Sequence, residues 1–442
     1  MQTKLGLVVA WGLGLLATRT TAADWNRFRG PDGNSVVVGV ELPAEWAEDS
    51  HVVWKVRIPG RGWSQPVVAG DRIFVTTAIA ENEEEPRRLD RGVPKGARNA
   101  TQDDYRWQVM CLSASSGKVL WSDTAYEGKP AHRKHRGNTY ASETPVADDE
   151  RVFAYFGAQG MVCYDHSGKR QWEKRLGGFP TQAGWGTASS PVTYGNLVLI
   201  QCDNQSQSFL MALDKKTGDE LWRVNRDEKT NWSTPYLWKN KVREELVVAG
   251  GVKMRSYHPA TGELLWEMAG SGRTSVSPVG NAEMLFVDSV VSFQGSPGLF
   301  AAIRPGASGD ISLQDGETTN EFVAWSMMLK SYRNSSPLLY RDCLYMLEQS
   351  RGTVRCFDAE TGTIHYQERV PGASGFAASP WANGERVFLL DDAGLTIVLE
   401  PGPQYNVIRS NRLSDGIVWS SPAVVGGGLL IRGMKHLYCI RD

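Results

Sequence analysis

The 442 residues carry none of the common catalytic signatures. There is no G-x-S-x-G elbow, no H-E-x-x-H pair, no phosphate loop and no C-x-x-C-H haem attachment. Hydrolase, zinc-protease, nucleotide-hydrolysing and c-type cytochrome chemistry therefore lack their usual residues. Sustained 3.6-residue periodicity is also missing, which excludes helical bundles and doubly wound α/β folds. Charge of one sign is not in excess: 48 Lys and Arg stand against 49 Asp and Glu, a net charge of −1. That balance argues against nucleic acid or anionic lipid as the main partner. Cysteine is sparse, with six in the chain and no two adjacent. Long apolar runs are confined to Leu5–Ala17, which is short for a bilayer span.

That run follows Lys4 and precedes Thr21-Ala22-Ala23. A basic start, an apolar centre and small residues describe a secretory leader over residues 1–23, with Asp24 as the first mature residue. No Cys lies near the cleavage site, so a lipid anchor on Cys is not expected. The mature chain is then 24–442, one domain, in a periplasmic or secreted location and monomeric.

What the sequence does contain is a repeat. A Pro preceded within two residues by Ser or Thr recurs at Pro66, Pro145, Pro191, Pro235, Pro278, Pro337, Pro380 and Pro422. The spacing is 42–46 residues except for two gaps of 79 and 59, which hold insertions. Between these positions lie short apolar runs separated by turn residues, as in Leu197–Ile200 and Phe209–Leu213. A Gly followed four residues later by an aromatic closes five copies: Gly117/Trp121, Gly168/Trp172, Gly218/Trp222, Gly262/Trp266 and Gly362/Tyr366. Four short strands per copy cannot bury both faces alone, so the copies must stack side by side. The expectation is an all-β, eight-bladed β-propeller with four-stranded antiparallel blades. The closing aromatics are expected to fasten blade to blade, each removing roughly 150–250 Å² from water.

The eighth copy stops after three strands, while Val52-Val53-Trp54-Lys55-Val56 has no inner strands of its own. The strand near 52–58 is therefore expected to complete the last blade and close the ring. Insertions are expected over Ala80–Arg106 and Ser292–Asn320. Cys111, Cys163, Cys356 and Cys439 recur at one place in their copies and read as small core residues. Cys343 and Cys356 flank one hairpin, and a disulfide between them is an open alternative. The basic stretch His132–Arg136 has two His three apart among cations, a poor metal site.

Loops entering the inner strands of a propeller form the mouth of its channel. Trp63, Trp232 and Trp419 each stand three residues before an opening Pro, and Trp185 lies slightly further upstream in its copy. Arg273, Tyr332, Arg333 and Asn334 reach the same level from blades five and six. Aromatic faces beside guanidinium groups suit a flat, anionic or polyhydroxylated ligand. The alternative is that the indoles plug the channel or pack between strands. No catalytic residue and no metal ligand is assigned.

The Ser/Thr-Pro opening together with Asp-x-x-Thr-Gly-x-x-x-Trp, clearest at Asp214–Trp222, resembles the pyrroloquinoline-quinone-like β-propeller repeat family. The start Trp25–Pro31 resembles secreted, BamB-like members of it. The resemblance implies one of two roles. One is a quinone-dependent alcohol or sugar dehydrogenase holding pyrroloquinoline quinone (PQQ) with calcium. The other is a non-catalytic scaffold of the cell envelope. The chain departs from the first in lacking an adjacent Cys pair and a recognisable Glu, Asn and Asp set for calcium. It departs from the assembly lipoprotein in lacking the lipidated Cys. The leading expectation is a binding or assembly scaffold for envelope proteins, without a cofactor. The alternatives are the quinoprotein dehydrogenase and a glycan-binding propeller.

Overall fold

The computed structural model describes residues 24–80, 103–270, 272–289, 297–330, 333–349 and 351–442. The expected leader at 1–23, Tyr332 and most of the blade-one insertion lie outside the described residues. Eight antiparallel sheets form a ring of eight blades. Blade one comprises Val67–Ala69, Arg72–Ile79, Tyr105–Ser113 and Val119–Gly128. Blades two to seven repeat the pattern, and first strands of successive blades adjoin around the channel. Blade eight joins Ala423–Val425, Gly428–Arg432 and His436–Ile440 to the early strand Val52–Arg57, which pairs antiparallel with His436–Ile440. The expected closure of the ring is thus observed.

The recurring hydroxyl before each Pro has a structural cause. The backbone N–H of Gln65 donates to Thr144 Oγ1, Thr144 to Ser190, Ser190 to Thr234, Thr234 to Ser277, Ser277 to Ser336, Ser336 to Ser379 and Ser379 to Ser421, over 2.9–3.1 Å. Each hydroxyl satisfies a buried amide of the blade before it, so this girdle stitches the inner strands together. Blade one has Gln65 in the hydroxyl position. Its carboxamide closes the circle by donating to Pro422 O.

The closing aromatics do fasten the seams. Trp54, Trp121, Trp172 and Trp325 donate Nε1–H to Ala114, His166, Lys215 and Ala359 carbonyls of the next blade. Each indole lies on the next blade's closing Gly; a Cβ at Gly218 would stand 2.7 Å from Trp172. The cysteines follow from the same packing. Cys439, Cys111, Cys163 and Cys356 lie opposite Trp54, Trp121, Trp172 and Tyr366 on the neighbouring strand, where Ala212, Ser256 and Ala302 face Trp222, Trp266 and Trp325. Only a small residue fits beneath a closing ring. All six cysteines are unbridged; Cys343 and Cys356 lie diagonally across their hairpin, with Cys343 opposite Asp358 and Cys356 opposite Tyr345, and meet as two thiols in a hydrogen bond.

Two departures from expectation concern connections. The stretch Ser292–Asn320 is not one excursion. It contains the third strand of blade five, Gly298–Ile303, whose apolar run is buried; the excess length falls at 304–322. There Gly309–Asp310 pairs in parallel with blade four's outer strand and extends that sheet to five strands. Blade seven has no closing aromatic, since Arg409 lies opposite Val398. Trp46, from the N-terminal segment, supplies the ring instead. It stacks on Phe388 at 6.5 Å and joins the apolar cluster shared by blades seven and eight.

The channel is filled by the chain's own start. Trp25 O accepts from Val68 N and Asn26 O from Ala147 N. Val36–Val37 adds a parallel strand to the inner strand of blade seven, and the Asn34 carboxamide pairs both ways with the Leu339 backbone. Arg29 is the pin at the centre: its amide donates to Gln65 Oε1 and its guanidinium reaches Pro278 O (3.3 Å) and Pro337 O. The segment enters from the face opposite the loops that carry the tryptophans, as Asp24 caps the Gly70 turn and Leu42 bonds Asn383 there.

Candidate functional site

The mouth lies on the other face, where loops enter the inner strands. Its four tryptophans form two pairs. Trp63 and Trp419 meet at the seam of blades one and eight with ring centroids 5.4 Å apart. Trp185 and Trp232 stack at 5.7 Å between the entries to blades three and four. None is fully buried, and none fills the channel, which residues 25–37 occupy.

The basic stretch His132–Arg136 ties the pairs together. Trp63 donates Nε1–H to Gly137 O (2.9 Å), and the Trp419 ring lies against Gly137. Two residues earlier, His135 meets Trp185 edge to face at 6.2 Å, and its amide donates to Trp185 O. Asn138 holds Trp185 O and Thr187 O at 2.8 and 3.2 Å. Trp232 Nε1 donates to Gly186 O at 2.8 Å. The strap and the indoles make one continuous aromatic and basic surface. Burial, with the Arg136 and Lys134 charges, lowers the His135 pKa, so its imidazole is neutral near pH 7.

The cationic candidates divide. Arg333 is fully buried, and its guanidinium grips Asp288 at 2.8 and 2.6 Å. It is committed to an internal pair beneath the mouth. Asn334 accepts from Ser275 Oγ at 2.8 Å and donates to Gln349 at 2.7 Å, which braces the entries to blades five and six. Arg273 is half-buried beside Gly251, with no ion pair among the described residues; burial lowers its pKa.

Two groups without a signature in the repeat belong to this site. Glu143 stands two residues before Pro145, where other blades carry Ser, Ala or Val. Burial pushes its carboxyl up to about 7, against a hydrogen bond from Thr187, and its Oε1 has no partner. Arg432 ends an otherwise apolar strand in blade eight and is 2% exposed. Glu143 could be suspected from sequence as a charge at a position that the repeat keeps uncharged; Arg432 could not, since blade five carries Asp288 at the same level.

Other acids at the mouth end of the blades are already engaged. Asp203 pairs with Arg226 at 3.0 Å with both side chains fully buried, Glu228 with Arg255 at 2.9 Å and Glu348 with Arg355 at 2.7 Å. Asp391 accepts from the Ala393 and Leu395 amides and from Ser374. Among the described residues no three His, Cys, Asp or Glu side chains gather where a metal could sit. Calcium needs six to eight oxygen ligands with several carboxylates. The mouth acids stand singly and mostly in ion pairs or hydrogen bonds, so the described residues do not fit a calcium–quinone pair.

A family model described as outer membrane protein assembly factor BamB matches residues 78–223 and 205–400. The chain belongs to this PQQ-like, BamB-type β-propeller family. Among solved structures it is similar to BamB from Moraxella catarrhalis, at 12% identity and a TM-score of 0.59, covering 88% of this chain and 97% of that one. It is equally similar in fold to a quinohemoprotein alcohol dehydrogenase from Comamonas testosteroni, at 9% identity and a TM-score of 0.63, covering 96% and 81%. At these identities the likeness shows the propeller alone. A curated relative, the serine/threonine-protein kinase AfsK of Streptomyces coelicolor, is 28% identical over 209 residues, 46% of this chain. The chain spans only 24% of that relative's length. No helix among the described residues is long and apolar enough to cross a membrane.

Proposed function

We propose that this BamB-type propeller is a non-catalytic binding scaffold of the cell envelope, exported by a leader at residues 1–23 and acting in the periplasm or outside the cell as a monomer. One observation carries the reading: apart from Glu143, which burial holds near neutrality, the acids of the mouth are engaged by Arg, Ser or backbone donors, while its indoles and strap are only partly buried. The surface is thus built for contact rather than for a cation cage. Trp63, Trp185, Trp232 and Trp419 are the contact anchors, with Arg273 and the Asn334 brace beside them. Large rigid aromatics and Arg are the residues that dominate protein interfaces. The family's description as an assembly factor supports envelope proteins as partners.

The test is capture from envelope extract by the purified chain, run beside a Trp232→Ala, Trp419→Ala double variant whose melting curve matches the parent. Specific partners retained by the parent and lost by the variant are expected. Dye-coupled oxidation of alcohols or sugars with added PQQ and calcium, without selective capture, would replace the scaffold with the dehydrogenase. Retention on polysaccharide that needs the same indoles would favour a glycan.

A further inference from the structure

Arg432 is a buried cation without a counter-charge. Its Nη1 donates to Ser64 Oγ (2.6 Å) and Ser64 O (3.1 Å), and no acid pairs with it among the described residues. Its Nη2 lies so close to the backbone of blade one that a Cβ at Gly62 would stand 2.5 Å away. Ser420 Oγ donates to the same Ser64 carbonyl, so the guanidinium sits in the seam of blades eight and one. The next residue outward on each side, Trp63 and Trp419, belongs to the mouth pair. The indole Nε1 of Trp419 is a second buried donor with no acceptor.

The other buried guanidiniums differ. Arg226 and Arg333 have carboxylates, and Arg29 spends its two terminal nitrogens on the Pro278 and Pro337 carbonyls. Arg29, further down the axis, is buried too but has Asp32 near enough to raise its pKa, and it joins this seam through Gln65, the neighbour of Ser64. Burial alone drives the Arg432 pKa down to about 9, which still leaves it charged at neutral pH. A desolvated charge with spare N–H donors is held at a cost unless something negative completes it.

We propose that the floor of the mouth at the blade eight–blade one seam is an oxyanion subsite, in which Arg432 and the Trp419 N–H bind a carboxylate or phosphate group whose remainder lies against the Trp63–Trp419 rings. The planar guanidinium suits both groups. This goes beyond the scaffold reading and does not need it: an anionic group of a protein partner or of a small molecule would use the same donors.

The experiment is a melting titration of the purified chain with inorganic phosphate and, in a parallel arm, acetate, against sodium chloride at equal ionic strength. Saturable Trp fluorescence change is read alongside. At a hundred times the dissociation constant, binding to the folded state alone raises the melting temperature by several degrees. A saturable rise with phosphate only assigns a phosphate subsite; a rise with acetate assigns a carboxylate one. Arg432→Met removes the uncompensated charge, so it is expected to fold at least as well without anion and to lose the saturable rise. Trp419→Phe keeps the ring and deletes one donor, and is expected to weaken binding about tenfold, the value of one charge-assisted hydrogen bond. No difference from chloride in either arm, or an equal rise in Arg432→Met, would overturn the subsite. Either result leaves the partner capture test of the scaffold unaffected, so the two proposals fail separately.

Discussion

Glu143 shows how one residue at the mouth links structure to pH. In an unfolded chain its carboxyl titrates near 4.5, and in the folded ring near 7, because burial penalises the charge more than Thr187 relieves it. The folded state therefore holds a proton that the unfolded chain has released between those values. Stability linked to Glu143 is full below about pH 4.5, falls as pH rises through the window, and is constant above about pH 7. At 1.36 kcal/mol per pKa unit the loss is on the order of 3 kcal/mol. Glu143→Gln removes the titration and keeps an acceptor for Thr187. Urea unfolding of the two proteins is expected to coincide near pH 4.5 and to favour the Gln variant by up to about 3 kcal/mol at pH 8. A gap independent of pH would mean that the carboxyl is not the titrating group.

Between blades the unit of stability is a ring seated on a glycine. Gly218 has φ +76°, and a Cβ there would meet Trp172 at 2.7 Å, so the position needs Gly for both its backbone and its neighbour. Gly218→Ala is expected to cost about 1–3 kcal/mol and Trp172→Ala about 3–5 kcal/mol. Both changes act on one contact, so the double variant should lose clearly less than the sum, measurable by denaturant titration. Additive losses would show that the seam does not depend on this pair. These seams explain what the sequence made legible. The Gly–aromatic spacing, the small residues opposite it and the hydroxyl before Pro repeat because every blade meets the same neighbour in the same way. Features that occur once carry no period. Trp46 stands in for blade seven's missing ring from a segment more than 300 residues away in the chain. The strap His132–Arg136 reads as a charge run until Gly137 O is seen holding Trp63. Arg333 looked like a mouth cation in repeat register because the register gives its level, not its partner Asp288.

At the scale of the ring, the N-terminal segment does two separable jobs. Residues 25–37 fill the channel and give Arg29, Asn34 and Trp25 their bonds to blades one, five and six. Residues 46–57 seal the blade seven–eight seam and cover the edge of His436–Ile440. The first job is local: its loss uncovers only the short inner strand Trp381–Asn383 of blade seven, which faces the channel. The second is topological, since without Val52–Arg57 blade eight ends on an open strand whose N–H and C=O groups seek another chain. Removing residues up to 38 is therefore expected to leave a monomeric ring with a lower melting temperature. Removing residues up to 60 should open the ring and produce dimers or aggregates, because the exposed edge and the seam vacated by Trp54 are both apolar and unpaired. Size-exclusion chromatography with light scattering separates the outcomes. A monomer of unchanged stability after the longer deletion would show that the ring does not rely on its N-terminal strand for closure. Aggregation after the shorter one would show that the channel filling is itself part of the closure, with Arg29 rather than Trp54 as the decisive contact.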